Sequence, residues 1–213
     1  RQTNVGFTVM VAPIGMNYYY GFDNTTFTDS NGHTNAWYLE QITAWSAKAD
    51  ELYVWNYSEY FDNYFVPLDT ITNMQAKYQA YVNAGATGIY DQGCGEANAT
   101  DWAELKVYLK SALAQDVNAD VNALISGFMR AYYGEQAAPY MLQLLQAQQA
   151  HYATIANKMH GGHITRDSLF NKSYWGTDGS NAMLTEWYGY IQSALNATTD
   201  VTLKARIQKE SLT

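Results

Sequence analysis

Cysteine is almost missing from this sequence. Cys94 stands alone in 213 residues, so no internal disulfide and no multi-cysteine metal site can form. Charge is scarce too: Asp, Glu, Lys and Arg make up 15% of the chain, against about a quarter in an ordinary soluble domain. Lys and Arg total only 12 and the formal net charge is −8, so the basic footprint that a nucleic acid demands is absent. An anionic membrane surface is disfavoured on the same ground. No apolar run approaches the length needed to cross a bilayer, which leaves no membrane insertion to expect. The three strand-end tracts described below contain no Arg or Lys, the side chains that would fix a ligand carboxylate.

What remains is apolar and neutral-polar. Hydrophobic residues make up 47%, enough for a core, and Asn, Gln, Ser, Thr and Tyr supply most of the polarity. Such a surface suits uncharged, hydrogen-bonding ligands. Cysteine poverty fits a bacterial extracytoplasmic protein, and a chain that opens on Arg1 is expected to be a piece of a longer one.

Three short β-branched or aromatic runs punctuate the first half. Val5–Ala12 reads as a strand buried on both faces, Glu51–Asn56 as a second, and Thr87–Tyr90 as a third that stops before Asp91-Gln92-Gly93. Helical spacing follows each one. Asn35–Ala49 has Asn35 as its cap and a stripe of Trp37, Ile42 and Trp45, Asp69–Ala84 stops at Gly85, and Asp101–Leu113 follows the third strand. This alternation argues a parallel α/β arrangement over residues 1–115. From residue 116 the text is helical only: Ala119–Tyr133 stopped by Gly134, then Gln136–Met159, Ser180–Leu195 and Thr202–Ser211. Residues 116–213 are therefore expected to form a helical annex.

Parallel α/β folds place ligands where strands end at their carboxyl termini. All three ends here join aromatic rings to amides or carboxylates: Met16-Asn17-Tyr18-Tyr19-Tyr20, Trp55-Asn56-Tyr57-Ser58-Glu59-Tyr60 and Tyr90-Asp91-Gln92-Gly93. Pyranose rings offer apolar C–H faces to Trp and Tyr while their hydroxyls want paired donors and acceptors. The expected carbohydrate contacts are Tyr18, Tyr20, Trp55, Asn56, Tyr57, Asp91 and Gln92. Candidate catalytic acids are Asp91, Glu59 and Glu96, because glycoside hydrolysis works through carboxyl groups flanking the bond. His160 and His163 lack a third ligand, so no metal is expected, and nothing in the text implies an organic cofactor.

One stretch is similar to a known family. VWNYSEYFDNYFVPLDTITNMQAKYQAYVNAGATGIYDQG (54–93) carries Trp55-x-Tyr57, a loop bearing Pro67, and Gly85-x-x-Gly88 ahead of an acid, Gln and Gly. Beyond it come Leu105-x-x-Tyr108-Leu109 and Phe128-x-x-x-Tyr132-Tyr133-Gly134, with Met141 downstream. These resemble the family long called domain of unknown function 4838, which underlies glycoside hydrolase family 163, endo-β-N-acetylglucosaminidases of complex N-glycans. The resemblance covers most of the chain and is specific over Trp55–Met141.

It implies the C-terminal part of a (β/α)8 TIM-type barrel, its strands about the sixth to eighth, followed by helices. It also implies β-linked N-acetylhexosamine substrates and an oxazoline-type intermediate, with the catalytic acids upstream of Arg1. Trp55 would then belong to the platform, Tyr57 would orient the acetamido carbonyl, and Asp91 would bind sugar hydroxyls, although family members often carry Glu there. A partial barrel is expected to form a homodimer or bury its sheet edges under its own loops. An α-glucuronidase-like enzyme and a non-catalytic carbohydrate-binding module are the rival expectations.

Overall fold

A computed structural model describes residues 6–26, 28–59, 67–93, 101–156 and 182–211. Strand β1 (Thr8–Val11), helix α1 (Asn35–Ser46), strand β2 (Glu51–Tyr57), helix α2 (Met74–Asn83) and strand β3 (Gly88–Gln92) come first. Helices α3 (Ala103–Gln115), α4 (Val121–Tyr133), α5 (Ala138–Ile155), α6 (Ala182–Asn196) and α7 (Val201–Glu210) complete the order. The strands form one parallel sheet in the order β1-β2-β3, with Val11 beside Val54 and Val54 beside Ile89. The described residues thus give a mixed α/β chain with three parallel strands and seven helices.

Several boundaries and faces differ from expectation, each for a local reason. β1 is not buried on both faces: Thr8 is exposed and Met10 is 50% exposed, while Val9 and Val11 are half-buried. Among the described residues helices pack on only one side of it, so alternate residues stay uncovered. The cap of α1 is Thr34, whose hydroxyl accepts from Trp37 N–H, because Asn35 is recruited into the preceding loop. Trp45 lies off the buried stripe and is 44% exposed, with the Lys48 ammonium over its ring. α2 begins five residues later than Asp69, whose carboxylate accepts from Ile71 N–H and Thr72 N–H and holds the chain in a turn. The end of the expected Gln136–Met159 helix falls outside the described residues.

Two apolar clusters share α2 between them. One packs Leu52 and Val54 of β2 against Ile42, Tyr81, Ala84 and the far end of α5 at Tyr152 and Ile155. The other joins Met74 and Tyr78 of α2 to Leu105, Leu109 and Leu113 of α3, then to Ile125, Met129, Met141, Ile191 and Ile207. This second cluster runs without a break across residues 115 and 116.

The start of α3 is held by elements that precede and follow it in the chain. Asp101 and Trp102 both adopt positive φ, 57° and 59°, a left-handed conformation that non-glycine residues rarely take. Asp101 accepts from Leu68 N–H (3.0 Å) and from Lys106 Nζ (2.5 Å). Trp102 N–H donates to Glu210 on α7, and its indole donates to Gln148 on α5 at 2.6 Å. Tyr133 Oη donates to the other Glu210 oxygen at 3.0 Å. Strain before α3 is therefore held by bonds to three other helices or loops.

Burial pushes the Glu210 carboxyl up from 4.5 to about 7, against the hydrogen bonds from Trp102 and Tyr133 that lower it. The folded state thus keeps a proton that the unfolded chain gives up. This contribution to stability is full below the unfolded value and is lost as pH rises through about 7. Glu210 should account for about 3 kcal/mol of lost stability between roughly pH 4 and pH 7.5. Glu210→Gln should remove that share. Urea unfolding of both proteins across the range checks it; identical slopes for the two would contradict it.

Candidate functional site

Strand alternation sorts the residues at the sheet's carboxyl end onto two faces. Leu52, Val54 and Asn56 of β2 are buried toward the helices, as is the side of β3 carrying Ile89 and Asp91. Tyr53, Trp55 and Tyr57 lie on the opposite face with Tyr90 and Gln92, and there they are only partly covered. β3 runs two residues further than expected, through Asp91 and Gln92, so these neighbours point to opposite faces.

The uncovered face is aromatic. Trp55 and Tyr57 lie nearly parallel, 6.3 Å apart at 20°, and Tyr90 meets Trp55 edge-on at 4.7 Å while remaining 50% exposed. Trp55 Nε1–H donates to Gln92 Oε1 at 2.8 Å, fixing the amide beside the indole. Tyr57 continues the row onto Tyr18, parallel within 5°. Gly88 lets the Tyr53 ring lie across β3, since a Cβ there would collide with ring carbons. Burial raises the Tyr57 hydroxyl above its ordinary range, so it stays a neutral donor.

The helix-side face is ionic and closed. Asp91 accepts from Asn56 Nδ2 (2.7 Å), Ser58 Oγ (2.7 Å) and Tyr78 Oη (2.9 Å), and pairs with Lys110 at 3.0 Å. Its side chain is only 10% exposed. Glu59, also buried, lies between Lys106 (3.5 Å) and Lys110 (3.6 Å). Tyr81 Oη donates to Asn56 Oδ1 at 2.8 Å, completing that amide. Burial raises both tyrosine hydroxyls well above the ordinary range, with the Asp91 charge adding to it, so both remain donors.

The loop after β1 is built by side chains from α1 and α2. Asn35 Nδ2 donates to the carbonyls of Asn17, Tyr20 and Gly21, and its Oδ1 accepts from Asn17 N–H at 2.8 Å. Asn73 Nδ2 donates to Tyr19 O, and the Lys77 ammonium donates to Tyr18 O. Burial lowers Lys77 to about 7, against the attraction of Asp69 and Asp91. Tyr18 is therefore a buried wall of the loop, its hydroxyl bonded to Ile14 O, while Tyr20 remains partly exposed.

Residues 2–146 match the family described as a domain of unknown function (DUF4838). This chain belongs to the DUF4838 family. Neither a curated protein nor a solved structure matches it significantly. The match to DUF4838 runs through the whole sheet and into α5, so both faces described above lie within the family region.

Of the expected contacts, Trp55, Tyr57 and Gln92 come together on the open face of this DUF4838 chain. Asn56, Asp91 and Glu59 come together on the closed one, and Tyr18 is buried behind Tyr57. Glu96, Cys94, His160 and His163 lie outside the described residues. Among the described residues no cluster of three metal-ligating side chains exists.

Sequence reasoning missed the two lysines. Their signal is visible in retrospect: Lys106 and Lys110 stand four apart on the stripe that carries Leu109 and Leu113, a place where charge needs a buried partner. It also passed over a rim cluster of Asp29, His33, Trp37 and Tyr38 at the entry to α1.

Lys110→Met removes the cation between two buried carboxylates and should cost about 3 kcal/mol, lowering Tm by roughly 6–12 °C. Gln92→Ala, on the open face, should change stability by less than about 1 kcal/mol. Calorimetry of the two variants tests the division of faces; equal losses would erase it.

Proposed function

We propose that this chain is the carbohydrate-contacting part of a bacterial extracytoplasmic glycoside hydrolase, supplying the last strands of a (β/α)8 barrel and the helices beyond them. The reaction is hydrolysis of β-linked N-acetylhexosamine glycans, of the endo-β-N-acetylglucosaminidase type. The carrying observation is the open face, where Trp55, Tyr57 and Tyr90 present rings beside the amide of Gln92. Rings take the apolar faces of a sugar and the amide and phenols take its hydroxyls.

Glu59 and Asp91 are each engaged by lysines on the closed face, which supports a binding wall rather than an acid pair at this place. In this reading the acids that act on the bond lie outside this chain. The same observation favours a second reading, a carbohydrate-binding module without turnover.

Mass spectrometry of sugars released from a complex N-glycan, by the full-length protein and by this chain, separates these readings. Release by the full-length protein alone supports the first. Release by this chain would return Asp91, Glu59 or Glu96 to the catalytic role. Binding without release by either protein supports the module. Trp55→Ala and Gln92→Ala should each weaken glycan binding by calorimetric titration, about tenfold for the indole and less for the amide. Unchanged affinity in both would remove the open face as the site.

A further inference from the structure

The loop between β1 and α1 folds back on itself before the helix begins. Thr28 and Thr34 form an antiparallel bridge, and Gly32, at φ 83°, lets the chain turn between them. Asp29 closes the turn: its Oδ1 accepts from the N–H groups of Asn31 and His33, both at 2.8 Å. Its Oδ2 accepts from Tyr38 Oη at 2.7 Å and faces His33 Nδ1 at 3.3 Å. Burial alone would raise this carboxyl, but the bonds from Tyr38, His33 and Asn31 and the nearby imidazole together hold it below its usual value. An ionised carboxylate only accepts, so Nδ1 is the protonated partner in this contact.

His33 is held on its ring face as well. It stacks on Trp37 with centroids 3.7 Å apart and planes within 9°, and Tyr38 meets it edge-on. With Nδ1 engaged and one face covered, Nε2 is the ring nitrogen left for a ligand, and no described residue bonds to it. The side chain is 34% exposed. A ring fixed at Nδ1 and across one face, with its second nitrogen unbonded among the described residues, is a prepared hydrogen-bonding group.

Its place in the fold is at the carboxyl end of the sheet, the end that carries Trp55, Tyr57 and Gln92. α1 follows β1 and returns alongside the sheet, so its first turn stands at the carboxyl ends of the strands. A Cβ on Gly15, four residues past β1, would meet Tyr38 Oη and Asp29 Oδ2, which seats the cluster directly above that strand end. Ile14, next to Gly15, is bonded by Tyr18, which stacks on Tyr57 of the open face.

We infer that His33, oriented by Asp29 and Trp37, forms an outer subsite whose Nε2 hydrogen-bonds a hydroxyl of a bound oligosaccharide. The inference rests on the carbohydrate function proposed for the open face. It reaches a part of the ligand that Trp55 and Gln92 do not, on the β1 side of the sheet.

Nitrogen-15 NMR of the 213-residue chain tests it with a free complex N-glycan as the probe. His33→Gln identifies the His33 signals among those of four histidines. Without glycan, the His33 Nδ1 proton should be observed in its bond to Asp29. On saturation its Nε2 signal should move together with the Trp55 indole and Gln92 amide signals. His33→Ala should weaken binding about 3- to 10-fold, and Asp29→Asn should shift the tautomer and weaken it less. Movement of Trp55 and Gln92 with His33 unmoved overturns the subsite and leaves the open face standing. No movement at any of the three overturns both.

Discussion

A carboxylate taken out of water must be matched by donors and a cation, and the fold around the strand ends is organised by meeting that requirement at Asp91. Its partners come from β2, from the turn after β2, from α2 and from α3. An uncompensated charge at that depth would cost several kcal/mol, so these elements are held in one arrangement. The period of two along a strand then dictates the rest. With Asp91 turned toward the helices, Tyr90 and Gln92 must turn away, and register places them beside Trp55 and Tyr57. The aromatic face follows from the ionic one.

The same requirement sets the charge of the open face. The lysines nearest the strand ends, Lys77, Lys106 and Lys110, are all buried among carboxylates or carbonyls on the helix side. What is left outward is phenol, indole and amide, with Glu51 at the other end of β2. Such groups bind through shape and neutral hydrogen bonds rather than through ion pairing. In a chain of net charge −8, an anionic ligand would find no cation among the described residues of this face to offset the long-range repulsion.

Much of this framework is legible in the text of the chain. Three apolar runs, the helical spacing after each and the stops at Gly85 and Gly134 foretell the parallel strands and most helices. The direction of Asp91 is not legible. It depends on whether β3 ends at Tyr90 or two residues later, and a shift of that size lies within the fraying of any strand end. Asn35 shows a different limit. Thr34 and Asn35 are both good capping residues, and only the position of the Asn17–Gly21 carbonyls decides that Asn35 serves the loop and Thr34 the helix. The Asp29–His33 pair depends in the same way on a turn closed by Gly32, with no periodic pattern to announce it.

The division into a sheet region and a helical annex looks natural in sequence but is physically incomplete. Asn17 Nδ2 donates to Ala156 O at the end of α5, and Tyr152 packs on Tyr19 at 5.5 Å. Gln148 on the same helix accepts from the Trp102 indole, and Gln149 donates to Thr72 after β2. One face of α5 therefore touches the loop after β1, the turn before α2 and the start of α3. Loops that present ligand-binding groups need support to be preorganised, since ordering them only upon binding would consume affinity. If the strand-end loops bind as proposed, that support comes from α5, whose contacts tie the later helices to those loops.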